Sequence, residues 1–501
     1  MPTPDGTECF ILRLPDELLI WVLNDATLEF RNSWDRDPER EAVARKTARD
    51  LPLVCRRFNA LARPLLYETA VLNSVDFIFT SDLMHRTMQE NPHMRSLCRS
   101  IVLNVWEWQS CFENSGETDD GVFEIIHELF SWWASARSVY IEGFPPGIPF
   151  NSKGWALVQT ACQSMPRLKE LFVGMEGPFH LCKAIETIHS PSLNVLTLKS
   201  YPYEPETDSW TVDPKLLRSS PITSLTINTT NTNPSDLAQA IQWPARLEKF
   251  ALGELFENDR GDNHITYPLV QSLLSIHKKT LKEIRIEGLD EYEYTFGPRF
   301  NASGFPNLEV LSLALYEYNG ATSIRGETPT YGPEEDSFLP PNLKTLKFTY
   351  GDPKRVGWDW FQEQDEQFIR NIATAAISKK SSLQTIEVDY VPYDKYAERQ
   401  WGYPYERLER LSQEFGPQGI EISYPTPVKT KREWVFLVAW SRIYGSELRH
   451  TSPDPEGLMP EDILEAEDLV QVVRVGGQAG QRRSMCPDLL EEMLKEMLEE
   501  Y

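Results

Sequence analysis

The chain has 501 residues, of which 41% are hydrophobic, and its 14 Trp and 23 Phe can fill a large core, which excludes disorder along the whole length. Because 501 residues exceed the size at which a single core keeps growing, we expect two or more structural units. The formal net charge of −25 argues against sequence-independent binding to nucleic acid or to an anionic membrane, since both require a basic surface.

The cysteines and the longest apolar stretch indicate where in the cell the protein is expected. Seven cysteines without a C-x-x-C pair indicate reduced thiols, so we expect a cytoplasmic or nuclear protein. No basic and apolar leader follows Met1, and secretion is therefore not expected. The stretch WVFLVAW from Trp434 is far shorter than the roughly 20 residues that a membrane helix needs.

Two apolar segments near the N-terminus predict short amphipathic helices. LPDELLIWVL begins at Leu14, and Pro15 suits a first helical turn, where its missing N–H costs nothing. LPLVCRRFNALARPLLYE begins at Leu51 and has apolar residues at the same three- and four-residue spacing. Two or three short helices make only a small core, so much of this apolar surface should need an external partner.

The two segments together resemble an F-box, which opens with Leu-Pro-x-Glu-Leu and closes with Val-Cys-Arg-x-aromatic. The matching residues are Leu14, Pro15, Glu17, Leu18, Val54, Cys55, Arg56, Phe58 and Tyr67, with Ala26, Pro52 and an insertion between the segments as departures. The resemblance covers residues 10–72 and implies docking onto a Skp-type adaptor, which bridges to a cullin and RING subunit in a ubiquitin ligase. The implied adaptor-binding residues are Leu14, Pro15, Leu18, Leu19, Val22, Leu51, Val54, Cys55, Phe58 and Leu61. The alternative is a plain helical cap that closes a repeat body.

Beyond residue 95 one short pattern recurs: an apolar residue, two others, an apolar residue, one other and an apolar residue. Its copies are LKELFV from Leu168, LNVLTL from Leu193, ITSLTI from Ile222, LEKFAL from Leu247, LKEIRI from Leu281, LEVLSL from Leu308, LKTLKF from Leu343 and LQTIEV from Leu383. Weaker copies are CRSIVL from Cys98, ARSVYI from Ala136 and GIEI from Gly419. The alternation of apolar residues at the end of each copy has the period of a strand.

Several intervals between these copies predict helices. The segments are VFEIIHELFSWWA, GWALVQTACQSM, SDLAQAIQW, YPLVQSLLSIHKK and FIRNIATAAISKK, each with one apolar stripe. A strand followed by a helix, repeated along the chain, predicts an α/β solenoid in which each repeat buries its apolar face against its neighbours.

The body, residues 73–425, resembles an irregular leucine-rich-repeat domain, with parallel strands on the concave face and helices and loops outside. The Asn or Cys that usually follows the last apolar position by three residues is absent, so we expect a less regular arc. An ordinary α/β domain with a parallel sheet is the alternative. Residues 316–341 are predicted to form a protruding loop, and residues 426–501 an acidic extension with a terminal amphipathic helix.

No nucleophile elbow, zinc-protease motif, phosphate loop or dinucleotide fingerprint occurs, so we expect a non-catalytic chain without cofactor or metal. The expected function is substrate recognition in a Skp–cullin–F-box ubiquitin ligase, with an unidentified protein substrate and neither nucleic acid nor membrane as a partner. Residues that project from the strands, alternating with buried ones, are the substrate-binding candidates. They are Phe172, Lys199, Lys249, Glu283, Arg285, Glu287, Lys347 and Glu387. The alternatives are a non-degradative scaffold and an enzyme built on an α/β body.

Overall fold

The computed structural model describes residues 10–23, 46–47, 50–51, 53–73, 77–105, 120–144, 148–176, 181–201, 211–229, 233–253, 265–286, 289, 300–314, 339–349, 361, 363–390, 403–425 and 431. The chain divides into two compact units, Met1–Ile265 and Thr266–Tyr501. Apart from residues 339–341 and Lys431, the predicted loop at 316–341 lies outside the described residues, as does the extension at 426–501.

The strands of the first unit form a parallel sheet in the order of the sequence. They are β1 (Thr69–Asn73), β2 (Ser100–Asn104), β3 (Ser138–Phe144), β4 (Glu170–Glu176), β5 (Val195–Tyr201), β6 (Ser224–Thr229) and β7 (Lys249–Leu252). Each of them pairs in parallel with the next. Because parallel neighbours cannot be joined by a tight hairpin, a crossover must separate each pair.

The helices of the first unit fill most of these crossovers. The helical segments are α1 (residues 16–23), α2 (Arg56–Leu66), α3 (Phe77–Glu90), α4 (Asp120–Trp132), α5 (Ile148–Ser164), α6 (Leu181–Thr187) and α7 (Pro234–Gln242). Their starts follow ordinary capping chemistry: the Asn233 side chain accepts a hydrogen bond from the Asp236 N–H at 2.8 Å, and Pro234 occupies the first turn of α7. One face of each helix is buried, as in α4, where Ile126, Leu129 and Phe130 are inaccessible to solvent.

The second unit repeats the same arrangement. Its strands are β8 (Glu283–Ile286), β9 (Val310–Ala314), β10 (Thr345–Thr349), β11 (Thr385–Asp389) and β12 (Glu421–Ser423), and each is parallel to its neighbour. Its helices are α8 (Tyr267–Leu274), α9 (Glu363–Ser378) and α10 (Pro404–Phe415). Each unit is therefore an α/β solenoid, as the sequence predicts.

A buried carboxylate ties α9 to α10. Glu366 is buried, and its oxygens accept hydrogen bonds from Arg370 at 2.8 Å, Arg407 at 3.0 Å and Arg410 at 3.0 Å. Arg370 also pairs with Glu414 on α10 at 3.0 Å. A buried charge is tolerated only where it is paired and hydrogen-bonded, and Glu366 meets that condition through three guanidinium groups.

A main-chain ladder joins successive strands at their starts. The carbonyl oxygen of the residue just before a strand accepts two hydrogen bonds, from consecutive N–H groups at the start of the next strand. The Glu68 oxygen accepts from Arg99 and Ser100 at 2.7 and 3.0 Å, and the Arg99 oxygen accepts from the N–H groups at 137 and 138 in the same way. The same pair of hydrogen bonds is accepted by seven further carbonyl oxygens, those of Arg137, Lys169, Asn194, Thr223, Lys282, Glu309 and Lys344. These main-chain hydrogen bonds join one strand to the next without using a side chain.

All predicted strands and the five helices predicted between the repeat copies are present, whereas the predicted terminal helix lies outside the described residues, and the structure adds elements that were not predicted. These are β1, α3, α6 and α10. The strand β1 begins at Thr69, so the boundary that we placed at residues 72 and 73 falls within a strand of the sheet.

Candidate functional site

The N-terminal helices enclose a small core of their own. Its buried members are Leu19 and Leu23 from α1 and Phe58 and Ala62 from α2. Around them pack the partly buried residues Ile11, Leu14, Leu51, Cys55, Leu61 and Leu65. Among the described residues, every member of this core comes from the segment between residues 11 and 65.

One arginine fastens the start of α1 to α2. Arg57 donates from Nε and Nη2 to the Asp16 carboxylate at 2.8 and 2.6 Å, and from Nη2 to the Leu14 carbonyl at 2.5 Å. Cys55 caps α2, because its sulfur accepts from the Phe58 N–H at 3.4 Å. These contacts fix the position of the Leu-Pro opening relative to the Val-Cys-Arg cluster.

Exposed apolar side chains occur on α1 and just before the N-cap of α2, and we name five of them the apolar patch: Leu18, Trp21, Val22, Leu53 and Val54. Trp21 is 79% exposed and Leu53 77% exposed. Single exposed apolar residues are ordinary, but a large Trp and four aliphatic side chains on one small helical segment indicate a surface that another molecule covers. Trp21 and Leu53 were not among the predicted site residues.

The structure divides the ten predicted adaptor-binding residues into three groups. Leu18, Val22, Val54 and Pro15 are exposed, whereas Leu14, Leu51, Cys55 and Leu61 are partly buried. Leu19 and Phe58 are buried in the small core, which corrects their assignment to the surface: they support the apolar patch from beneath. These two side chains are buried because each lies on the inward side of its helix, where Leu19 of α1 and Phe58 of α2 belong to the same small core.

The second candidate surface is the side of the first unit's sheet that faces away from its core. On β5, Leu196 and Leu198 are buried, while Thr197 and Lys199 between them are half-buried, as alternation requires. Phe172 lies beside Tyr140 of β3 in register, and their rings stack with centroids 3.9 Å apart at an interplanar angle of 12°. We name this pair the aromatic wall.

A carboxylate reaches across a whole strand beside the aromatic wall. Glu142 of β3 is buried, accepts a hydrogen bond from the Tyr140 hydroxyl and pairs with Lys199 of β5 at 3.3 Å. The strand between them, β4, has Gly174 near this position. A Cβ at Gly174 would lie 3.0 Å from Glu142 Cγ and 3.0 Å from Phe172 Cε1, so the missing side chain leaves the room that this pair needs.

These side chains surround a hollow of about 610 Å³ on β3, β4 and β5. The charged residues of its lining are Glu142, Glu170 and Lys199, and the remainder are Tyr140, Phe172, Thr197, Ser138 and three aliphatic residues. The hollow thus unites two predicted substrate residues, Phe172 and Lys199, with Tyr140 and Glu142, which the sequence reading missed. Tyr140 and Glu142 lie in one of the weaker repeat copies, and nothing in the sequence pattern relates them to Lys199.

The other predicted substrate residues lie apart from this hollow. Lys249 is exposed on β7, and Glu287 lies outside the described residues. In the second unit, Arg285 pairs with Glu283 of the same strand at 2.5 Å. Lys347 of β10 lies 3.8 Å from the Glu387 carboxylate and 3.3 Å from that of Asp389, both on β11. The second unit's sheet face therefore carries paired charges, with acidic groups in excess around Lys347.

Three of the described cysteines are buried. Burial raises the pKa of the Cys98, Cys162 and Cys182 thiols to about 12, which keeps them protonated at neutral pH. In the described part of the chain, no three His, Cys, Asp or Glu side chains gather as metal ligands. None of the helices described here is long and apolar enough to cross a membrane.

The fold and these surfaces define a class: two α/β solenoid units of sequentially ordered parallel strands, the first of which begins with a helical segment that carries the apolar patch. No family model matches the chain. No curated protein matches it either. Among solved structures, the chain matches the "Crystal structure of TLR13-ssRNA13 complex" at 12% sequence identity and a TM-score of 0.23, over 69% of this chain and 54% of that chain. The chain thus spans about half the length of that protein, and at this TM-score the likeness carries no argument.

Proposed function

We propose that the chain is the substrate-recognition subunit of a Skp–cullin–F-box type ubiquitin ligase. Residues 10–72 dock onto a Skp-type adaptor, and the solenoid binds a target protein. The chain itself supplies no catalytic group, and ubiquitin transfer belongs to its partners. The compartment that follows from this proposal is the cytoplasm, the nucleus or both.

The observation that carries the proposal is the apolar patch on the N-terminal helical segment. The patch and the Leu-Pro-x-Glu-Leu and Val-Cys-Arg-x-Phe residues belong to the same two stretches of the sequence, and Arg57 holds the two motifs together. Five exposed apolar side chains next to a core of four buried residues give a surface that gains much more from a partner than from water.

A capping role explains the same helices less well. A cap closes a solenoid by packing its apolar face onto the terminal repeat. In the part of the chain that the structure describes, the core around Leu19 and Phe58 contains no residue from β1 or from the rest of the sheet, and the exposed apolar patch is not covered.

The experiment is a titration of the purified chain with a Skp-type adaptor by isothermal calorimetry. Loss of a buried apolar anchor at an interface commonly costs about 2 kcal/mol or more, which is about thirtyfold in affinity. We therefore expect Leu18→Glu and Val54→Glu each to weaken adaptor binding by at least about thirtyfold. Thermal unfolding should be unchanged, because both side chains already face solvent.

Leu83→Glu is the matched control. Leu83 lies on α3 and is 53% exposed, against 52% for Leu18, so the same change adds the same charge to an equally exposed site outside the patch. Adaptor binding that is absent in the original chain, or that falls equally in the Leu18 and Leu83 variants, would contradict the proposal. Adding the assembled cullin and RING subunits separates a ligase subunit, which joins the complex, from a non-degradative scaffold, which does not.

A further inference from the structure

We propose that the hollow beside Phe172 binds an arginine side chain presented by a protein segment. This inference rests on the proposed function only in treating the sheet face of the first unit as the substrate side. The arginine site can be measured without any adaptor.

The Phe172 ring offers one open face to the hollow. Tyr140 covers its other face in the aromatic wall, at a centroid distance of 3.9 Å. Toward β5 the in-register neighbour of Phe172 is Thr197, whose side chain is too short to cover a ring. An aromatic face attracts a cation through its quadrupole, and the planar guanidinium group of arginine can also stack on it.

Carboxylates lie at both ends of that ring face. Glu170 precedes Phe172 by two residues on the same side of β4, which places their Cα atoms about 6.6 Å apart. Glu142 lies at the other end, where it is paired with Lys199. The charged lining residues are thus two glutamates and one lysine, and the hollow has a formal charge of −2 + 1 = −1. A guanidinium group stacked on Phe172 can donate to Glu170 with its plane kept parallel to the ring.

An anionic or an apolar ligand would match the ring face and the carboxylates of the hollow less well than arginine does. A phosphate or carboxylate would meet a single cation in the lining, Lys199, which already pairs with Glu142. An apolar side chain would use the ring but neither carboxylate. The residues in register with Phe172 on the next three strands are Thr197, which lines the hollow, Thr226 and Ala251, and all three are short side chains over which the backbone of a bound segment can pass.

The test uses short fluorescein-labelled Gly-Ser peptides with one central arginine, citrulline, lysine, leucine or glutamate. Binding to the full chain is measured by fluorescence anisotropy. Citrulline keeps the planar shape of arginine without its charge. We expect the arginine peptide to bind about threefold to tenfold more tightly than the citrulline peptide, which is the size expected for one cation–π contact and one partly exposed ion pair. Lysine should bind less tightly than arginine, because it cannot stack.

Two variants locate the effect. Glu170→Gln and Phe172→Leu should each remove most of the preference for arginine over citrulline, while Glu421→Gln, which neutralises an exposed acid on β12, should leave it unchanged. Circular dichroism melting curves confirm that each variant is folded. Equal binding of the arginine and citrulline peptides, tighter binding of the leucine or glutamate peptide, or a preference that survives in both variants would overturn the inference.

The same proteins distinguish the two proposals from each other. Phe172→Leu should keep full affinity for the Skp-type adaptor, because Phe172 lies on the sheet and not in the helical segment. If the original chain does not bind the adaptor but selects arginine peptides, the proposed function fails and the arginine site stands. If it binds the adaptor without selecting arginine, the arginine site fails alone.

Discussion

Replacing Glu366 by glutamine should destabilise the second unit by about 2 kcal/mol. A hydrogen bond to a charged group contributes about 1.5–3 kcal/mol when it is well buried, and an exposed ion pair contributes about 0.2–1 kcal/mol. The Glu366 carboxylate is buried, but its three arginine partners are half-buried or exposed, so each bond should contribute about 0.7 kcal/mol. Glutamine keeps the shape of the side chain and one carbonyl acceptor. The loss of stability therefore reports what the negative charge of Glu366 contributes.

The effect should depend on pH in a defined direction. Burial raises the pKa of Glu366, but hydrogen bonds from Arg410, Arg370 and Arg407 lower it by more, so the pKa lies below its ordinary value of 4.5. A carboxylate with a lowered pKa stabilises the folded state above the pKa of the unfolded chain, and this contribution disappears as the pH falls through the folded-state pKa. The difference between the original chain and Glu366→Gln should therefore be complete at neutral pH and shrink below about pH 4.5.

Urea unfolding followed by circular dichroism measures both effects, and Glu309→Gln is the control. Glu309 pairs with Lys344 at 2.6 Å, and the hydrogen bond from Lys344 lowers the pKa of Glu309. Both side chains are exposed, however, so water screens the pair and we expect no measurable loss. Equal destabilisation by the two substitutions, or a Glu366→Gln protein as stable as the original at pH 7, would refute the reasoning.

Three further predictions concern packing, thiols and solubility. Gly253→Ala should destabilise the fold by about 1–3 kcal/mol, because the added Cβ would lie 2.6 Å from Asn228 Cγ, whereas Gly304→Ala, with no atom within 4 Å, should be neutral or stabilising in the same urea assay. Iodoacetamide at neutral pH should modify Cys55, which is half-buried, and spare the three thiols with raised pKa; equal labelling of all four in a peptide mass spectrum would contradict the burial. Co-expression with a Skp-type adaptor should raise the soluble yield, and a yield that does not respond would argue that the apolar patch needs no cover.

The strands were predictable because each buries its alternate side chains in the core, and the apolar–x–apolar pattern records that burial directly. The strand β1 carries the same pattern in Tyr67, Ala70 and Leu72, but Ala70 is small and Tyr67 also serves the F-box resemblance, so the copy was overlooked. The helix α10 was within reach of sequence reasoning too, since Leu408, Leu411 and Phe415 are spaced as an apolar stripe and are all buried.

The candidate site was less accessible to sequence reasoning. The pairing of Glu142 with Lys199 joins residues 57 positions apart and crosses a strand, and its only trace in the sequence is the glycine at 174. Periodicity identifies apolar residues that can face a core, but it does not show which of them remain exposed. Leu18, Val22 and Val54 of the apolar patch were predicted as site residues, whereas Trp21 and Leu53 were not.

The main-chain ladder at the strand starts has a consequence for how such a protein can change over time. The accepting carbonyls belong to glutamate, arginine, lysine, asparagine and threonine in turn, so the junction between repeats demands no particular side chain. Substitutions can accumulate at these positions without removing the hydrogen bonds between strands. Proline is the one residue that the donor positions must avoid, because it lacks the N–H. A repeat protein held in this way can lose nearly all internal sequence similarity, lengthen one crossover and shorten another, and still keep every strand in register with the next.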